Sequence, residues 1–140
     1  MTGPGEDFDW DSLTFSLTQT DLMYVATCNL DEAWEVGDIR PYGKLEIDPA
    51  AGVLNYGQGI FEGMKAQRTL QGRIALFRPE ENARRFQRGA ARLGMPPVPE
   101  SMFIDAVEQV VAANSAWIPP SGRGALYVRP VLWGTGRIMG

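Results

Sequence analysis

The chain has 140 residues, of which 44% are hydrophobic and 21% are charged, and these values count against a wholly disordered, collagen-like or coiled-coil protein. Its 13 basic and 17 acidic residues give a formal net charge of −4, which provides no basic surface for nucleic acid. No apolar run approaches the roughly 20 residues that a membrane-spanning helix requires. The single cysteine, Cys28, excludes an internal disulfide, and the absence of histidine excludes histidine-based triads and histidine metal sites within this sequence.

The first residues, MTGPGEDFDW, are acidic. They lack the positive and apolar regions of a secretory signal and the arginine- and serine-rich composition of a transit peptide. We therefore expect a flexible lead over residues 1–11 and a cytoplasmic protein. A missing transit peptide would leave the same composition, so an organellar form stays open.

Several short strands are predicted in the first half of the chain. Leu22–Cys28 is an apolar run rich in strand-forming residues. An extended segment is predicted over Gly37–Ile47, broken near its middle by a proline. Ala66–Leu70 and Arg73–Phe77 flank Gln71–Gly72, which predicts a hairpin whose glycine supplies a positive φ.

The hydrophobic period then changes to that of a helix. Between Pro79 and Gly94 the apolar residues recur at spacings of three and four, namely Ala83, Phe86, Ala90 and Leu93. A second helix is predicted over Ser101–Trp117, followed by a strand over Ala125–Trp133. Strands, then two helices, then a strand indicate an α+β fold.

A glycine-rich stretch, Asn55–Gly63, is the first candidate site. Three glycines in nine residues imply unusual backbone or the close approach of a ligand or second chain. The aromatic residues Tyr56 and Phe61 are placed to wall a pocket. The alternative is a tight loop with two core aromatics.

Two arginines are the next candidates. Arg85 lies near the apolar edge of the first helix, where its guanidinium could bind a phosphate, although an ordinary surface arginine has the same pattern. Arg129 shares one face of the last strand with Tyr127. An arginine among apolar strand residues is costly unless it is paired with an anion, so the alternative is a buried structural salt bridge.

Lys44 and Lys65 are the only lysines. Lys65 follows the glycine-rich stretch and could in principle form a Schiff base. We expect it instead to be a solvated strand residue.

Four segments together resemble the branched-chain amino-acid aminotransferases, which are fold-type IV pyridoxal 5'-phosphate enzymes. The resemblance covers the chain from about Leu13 onward. It rests on the segments TDLMYV at Thr20, AGVLNYGQGIFEG at Ala51, LFRPEENARR at Leu76 and LYVRPVL at Leu126. It implies that residues 12–140 form the small N-terminal domain, with a mostly antiparallel sheet and two helices, of an enzyme that transfers the amino group of Leu, Ile or Val to 2-oxoglutarate.

The resemblance also implies residue roles. It assigns Arg85 to the cofactor phosphate, and it places Tyr56 and Phe61 around the branched side chain, with Tyr56 reaching into the site of the partner subunit of a homodimer. Tyr127 and Arg129 would form the opposite wall, and Arg129 would hold the distal carboxylate of glutamate.

In such enzymes the Schiff-base lysine lies in a second, C-terminal domain, beyond residue 140. We therefore expect that the parent chain continues and that these 140 residues are catalytically silent alone. The alternatives are another fold-type IV enzyme, such as a D-amino-acid aminotransferase, and a non-catalytic anion-binding or interaction module that uses the same arginines.

Overall fold

The computed structural model describes residues 3–138, and residues 1–2 of the predicted lead and 139–140 of the predicted domain lie outside that range. The regular elements, in chain order, are β1 (Leu22–Val25), β2 (Asp38–Pro41), α1 (Gly52–Tyr56), β3 (Gly59–Phe61), β4 (Met64–Arg68), β5 (Ile74–Leu76), α2 (Pro79–Arg92), α3 (Glu100–Ala113), β6 (Leu126–Val128) and β7 (Val131–Trp133). Single 3₁₀ turns occupy Trp10–Ser12 and Ser115–Trp117. Within the described range, no helix is long and apolar enough to cross a membrane.

The strands form small antiparallel sheets. β1 pairs with β2, β3 pairs with β7, and β4 lies between β5 and β6. The predicted α+β class and antiparallel pairing are therefore confirmed. The hairpin between β4 and β5 also turns as predicted, because Gly72 has a φ of +78°, which a residue with a side chain rarely adopts.

α2 begins at the predicted residue, because Pro79 suits the first helical position and two glutamates follow in the first turn. Ala83, Phe86 and Ala90 are buried, whereas Leu93 lies just past the helix end and is 37% exposed. The rings of Phe86 and Phe103 lie 5.3 Å apart between centroids and join α2 to α3. The core thus fills the space between these helices and the β4–β6 pair.

α3 ends at Ala113, four residues before the predicted boundary at Trp117. The reason is Asn114, which is 3% exposed. Its amide nitrogen donates to the carbonyls of Leu22 and Val110, and its amide oxygen accepts from the Leu22 N–H. These bonds tie the helix end to β1, so the chain turns there instead of continuing as a helix.

The segment predicted as a flexible lead has contacts with the rest of the chain in the structure. The Gly3 N–H donates to an Asp21 carboxylate oxygen at 2.9 Å, and the ring of Phe8 meets the edge of Trp117 at 5.9 Å. The boundary at residue 12 stays a prediction.

Candidate functional site

The candidate site is built around an interruption in a long antiparallel pairing. Phe61 of β3 lies opposite Val131 of β7, and Met64 of β4 lies opposite Val128 of β6. The strand predicted over Ala125–Trp133 is therefore two strands, because the proline between them has no N–H for a ladder hydrogen bond. Glu62 and Gly63 thus face Arg129 and Pro130 across the gap. One hydrogen bond spans it, from the Glu62 N–H to the Pro130 carbonyl at 2.9 Å.

The predicted alternation of faces holds on both sides of the gap. Val128 and Leu132 are buried, whereas Tyr127 and Val131 are about half exposed. Arg129 also lies on the exposed side. The interruption therefore presents its polar and aromatic side chains together at one edge of the sheet.

Arg129 lies between two aromatic rings. Its guanidinium carbon is 4.8 Å from the centroid of Phe61 and 5.2 Å from that of Tyr127, distances that favour cation–π attraction. One of its terminal nitrogens donates to the Tyr127 hydroxyl at 3.3 Å. We call Phe61, Tyr127 and Arg129 the aromatic–arginine group.

The sequence alternative of a buried salt bridge at Arg129 is wrong. Its side chain is exposed, and within residues 3–138 no carboxylate pairs with it. The physical reason is that Arg129 lies on the exposed face of the chain, with Tyr127 and Val131, and not on the buried face with Val128 and Leu132. Most of its N–H donors are consequently free to bind an anion.

Gly63 allows the close approach of a neighbouring side chain. A Cβ atom built there would overlap the Tyr127 hydroxyl and lie only 2.9 Å from the ring carbon that bears it. The glycine-rich stretch predicts unusual backbone or the close approach of a ligand or a second chain. Gly57 shows the unusual backbone, with a φ of +63°. At Gly63 the close approach is made by a side chain of the same chain, Tyr127.

Arg85, the second predicted anion-binding residue, makes a two-pronged ion pair with Glu62. Its Nε and one terminal nitrogen each donate to a different Glu62 oxygen, both at 2.6 Å. Asn82, one turn earlier on α2, donates to Glu62 Oε2 at 2.8 Å. The Glu62 side chain is 3% exposed, whereas that of Arg85 is 66% exposed. Arg85 is therefore an exposed arginine whose guanidinium is bound by a buried carboxylate.

This pairing controls the charge of Glu62. Hydrogen bonds from the Arg85 guanidinium lower the pKa of Glu62, burial acts in the opposite direction, and the Asn82 amide lowers it further. The same hydrogen bonds raise the pKa of Arg85. Glu62 is consequently a buried anion whose two oxygens are both neutralised by donors.

An open cavity of about 250 Å³ lies beside this pair. It is lined by residues 60–63 at the interruption and by Arg85, Phe86 and Gly89 of α2. Phe61 belongs both to this cavity and to the aromatic–arginine group. The structure thus brings Phe61, Arg85, Tyr127 and Arg129 to one region.

Tyr56 is the last residue of α1, a short helix that the sequence did not predict, and its side chain is 60% exposed. Lys65 of β4 lies opposite Tyr127 of β6. Its side chain is exposed, as expected of a solvated strand residue. No cluster of three or more potential metal ligands occurs within residues 3–138.

Sequence reasoning missed Glu62 and Asn82 as site residues. One signal was present, because Glu62 is the single charged residue between Ala51 and Met64. A lone carboxylate in an uncharged, glycine-rich stretch needs a cationic partner if it is buried. Arg85 is 23 residues away in sequence, so the pairing itself was visible only in the fold.

Comparison with known proteins finds aminotransferases, as the sequence motifs indicated. The chain is 52% identical over 134 residues, 96% of its length, to branched-chain-amino-acid aminotransferase 5, chloroplastic, of Arabidopsis thaliana. It is 51% identical over 131 residues to the methionine aminotransferase BCAT4 of the same plant. It covers 32% and 37% of these proteins, so it spans about a third of the length of the curated relatives it matches. No protein-family profile matches the chain.

Among solved structures, the chain resembles a branched-chain amino acid aminotransferase complexed with N-(5'-phosphopyridoxyl)-L-glutamate. The TM-score is 0.66 with 24% identity, over 89% of this chain and 36% of the other. It also resembles the branched-chain aminotransferase of the thermophilic archaeon Thermoproteus uzoniensis with norvaline, with a TM-score of 0.64 and 22% identity over 86% of this chain and 35% of the other. These likenesses establish the fold. The sequence relatives confirm the family resemblance that the motifs indicated.

The Glu62–Arg85 pair predicts a specific acid sensitivity of the fold. Because the pKa of Glu62 is lowered in the folded chain, the pair stabilises fully above the ordinary glutamate pKa of about 4.3 and less as pH falls through the lower folded value. We expect Glu62→Gln to lose about 1–2 kcal/mol of unfolding free energy at neutral pH. Between about pH 5 and 3 its stability should fall less steeply than that of the wild type.

Urea unfolding at a series of pH values measures both effects. Glu81→Gln is the matched control, because Glu81 of α2 makes surface ion pairs with Arg84 of α2 and with Arg78, the residue just before the helix. It should change stability by less than about 0.5 kcal/mol. Parallel pH curves for wild type and Glu62→Gln would contradict the prediction.

Proposed function

We propose that the chain, a homologue of branched-chain aminotransferases over nearly its whole length, forms part of an enzyme that transfers the amino group of Leu, Ile or Val to 2-oxoglutarate. Because the chain spans about a third of its relatives, the proposal concerns the longer protein. The observation that carries it is the aromatic–arginine group, in which ring faces lie beside a cation that has no carboxylate partner among residues 3–138. A site of this kind suits both an apolar side chain and a carboxylate.

We propose that pyridoxal 5'-phosphate is the cofactor, with Arg85 holding its phosphate. The fit rests on the exposed guanidinium at the edge of the 250 Å³ cavity, since arginine forks bind phosphate oxygens well. When bound, this cofactor supplies an electron sink for proton removal at the amino-acid Cα.

The substrate would lie against the aromatic–arginine group. Phe61 and Tyr127 present exposed ring surface against which a branched aliphatic side chain can pack. When glutamate is the substrate, the Arg129 guanidinium binds its distal carboxylate by donating charge-assisted hydrogen bonds. One arginine beside a tyrosine hydroxyl thus serves both classes of amino acid.

The Schiff-base lysine is proposed to lie outside this chain, in a second domain, with residues 12–140 as the small domain. Lys44 and Lys65 are both exposed, whereas Schiff-base chemistry requires a lysine that burial or nearby charge makes nucleophilic. The 140 residues alone would then be inactive. The relatives include proteins named chloroplastic and mitochondrial, and the cytoplasmic location stays a prediction.

Methionine is a second candidate substrate, because a methionine aminotransferase matches the chain almost as well as its branched-chain relatives do. Methionine is apolar and similar in length to leucine, so ring faces of this kind accommodate either side chain. Purified longer protein should be supplied with leucine, isoleucine, valine, methionine and D-leucine, each with 2-oxoglutarate, and glutamate formation measured.

We expect turnover with the branched L-amino acids and none with D-leucine. A preference for methionine would reassign the substrate within the same chemistry. Turnover of D-leucine alone would favour the D-amino-acid aminotransferase alternative. A protein that binds phosphate but neither pyridoxal phosphate nor amino acids would support the non-catalytic anion-binding module.

Arg129→Ala in the longer protein should impair the glutamate half-reaction more than the leucine half-reaction. An unpaired distal carboxylate in the closed site costs about 2–4 kcal/mol, whereas leucine has no charge to satisfy. Single-turnover rates with each amino acid measure the difference. Arg123→Ala is the control, since the Arg123 side chain makes an exposed ion pair with Asp11. Equal losses of rate with both substrates in Arg129→Ala would instead indicate a structural role for Arg129.

We propose a homodimer as the active species, in which Tyr56 reaches the site of the partner subunit. The exposed ring of Tyr56 supports this proposal, since large aromatic residues are enriched at interfaces. Sedimentation of the longer protein should give a dimer. A monomer with full activity would contradict the assignment.

A further inference from the structure

The Glu62 carboxylate lies beside the cavity and is held by hydrogen bonds to both of its oxygens. Both of its carboxylate oxygens accept hydrogen bonds from Arg85, and Oε2 also accepts from Asn82. Its side chain is 3% exposed, so burying its charge has a cost. These donors offset that cost together with a backbone hydrogen bond at Gly63. Nothing in the proposed reaction so far uses this arrangement.

The contacts restrict Arg85 in a particular way. A free arginine side chain on a helix surface samples many rotamers, and ordering it costs conformational entropy at the moment of binding. Two parallel hydrogen bonds to one buried carboxylate fix the plane of the guanidinium before any ligand arrives. A guanidinium has five N–H donors, and Glu62 engages two of them, so three remain for another anion.

The charge balance is also favourable. A carboxylate beside a phosphate site would repel the phosphate if its charge were uncompensated. Here each oxygen of Glu62 receives a donor from Arg85, and Asn82 adds a further one. The pair therefore orients the cation with little repulsion toward the ligand.

We propose that Glu62 is the positioning residue for the phosphate site, holding Arg85 with three donors turned outward, and that Asn82 in turn orients Glu62. The proposal rests on the proposed function, because it takes the Arg85 ligand to be the cofactor phosphate. It predicts that Glu62 affects ligands that carry a phosphate and leaves those that lack one unaffected.

The test compares two non-covalent probes, pyridoxamine 5'-phosphate and pyridoxamine, which differ only in the phosphate. Dissociation constants are measured by fluorescence titration of the longer protein without cofactor, for wild type, Glu62→Gln, Arg85→Ala and the double variant. Glu62→Gln keeps the side-chain size and removes the charge. Glu81→Gln is the control, because Glu81 of α2 pairs with Arg84 of the same helix and with Arg78, the residue just before it, and not with Arg85.

We expect Glu62→Gln to weaken binding of pyridoxamine 5'-phosphate about tenfold and to change binding of pyridoxamine less than about twofold. Arg85→Ala should weaken the phosphate-bearing probe about a hundredfold. Adding Glu62→Gln to Arg85→Ala should have no further effect, because the positioned group is already gone. Glu81→Gln should bind both probes as the wild type does.

Equal losses for both probes in Glu62→Gln, or an undiminished effect of Glu62→Gln in the Arg85→Ala background, would overturn the proposal. If Glu62→Gln does not fold, Asn82→Ala is the variant to test, since it removes one hydrogen-bond donor from Glu62. It should weaken binding of pyridoxamine 5'-phosphate by less than tenfold and leave binding of pyridoxamine unchanged. Loss of phosphate selectivity in Arg85→Ala but not in Glu62→Gln or Asn82→Ala would overturn this inference alone. A wild type that binds neither probe would overturn the proposed function as well.

Discussion

Pro130 cannot donate a backbone hydrogen bond, and the antiparallel pairing that runs through the middle of this chain must therefore open where it meets Glu62 and Gly63. The two strands continue in pairing on either side of the opening. Because the ladder resumes, the opening is narrow and its edges are held rigidly. Arg129 emerges at this point with its guanidinium between two aromatic rings, and α2 brings Arg85 to the other side of Glu62.

Glu62 joins the two halves of this arrangement. Its backbone N–H bonds to the Pro130 carbonyl next to Arg129, and its side chain bonds to Arg85. A shift of the sheet edge would therefore move both cations together. One buried residue thus links the chain segment that carries Arg129 to the helix that carries Arg85.

Local patterns allowed the hairpin at Gly72 and the start of α2 at Pro79 to be predicted, because turn geometry and first-turn chemistry act within a few residues. The end of α3 could not be predicted, since Asn114 bonds to β1, more than ninety residues away. The ion pair of Glu62 could not be predicted for the same reason, since Arg85 is 23 residues away in sequence. The sequence singled out Arg85, Arg129 and Tyr127 as candidates, but the ring faces that contact Arg129 and the carboxylate that binds Arg85 depend on tertiary contacts.

The close fit between Gly63 and Tyr127 has a consequence for how this site could diversify. A side chain at position 63 would displace the Tyr127 hydroxyl, which is the far end of a half-exposed side chain. Rotation of Tyr127 away from the new Cβ would withdraw one of the two rings from Arg129. A substitution at Gly63 would therefore change the surroundings of Arg129 through Tyr127. Arg129 would then keep its contact with the ring of Phe61, 4.8 Å from its guanidinium carbon, so a change at a glycine would shift the balance between the two aromatic neighbours of the arginine.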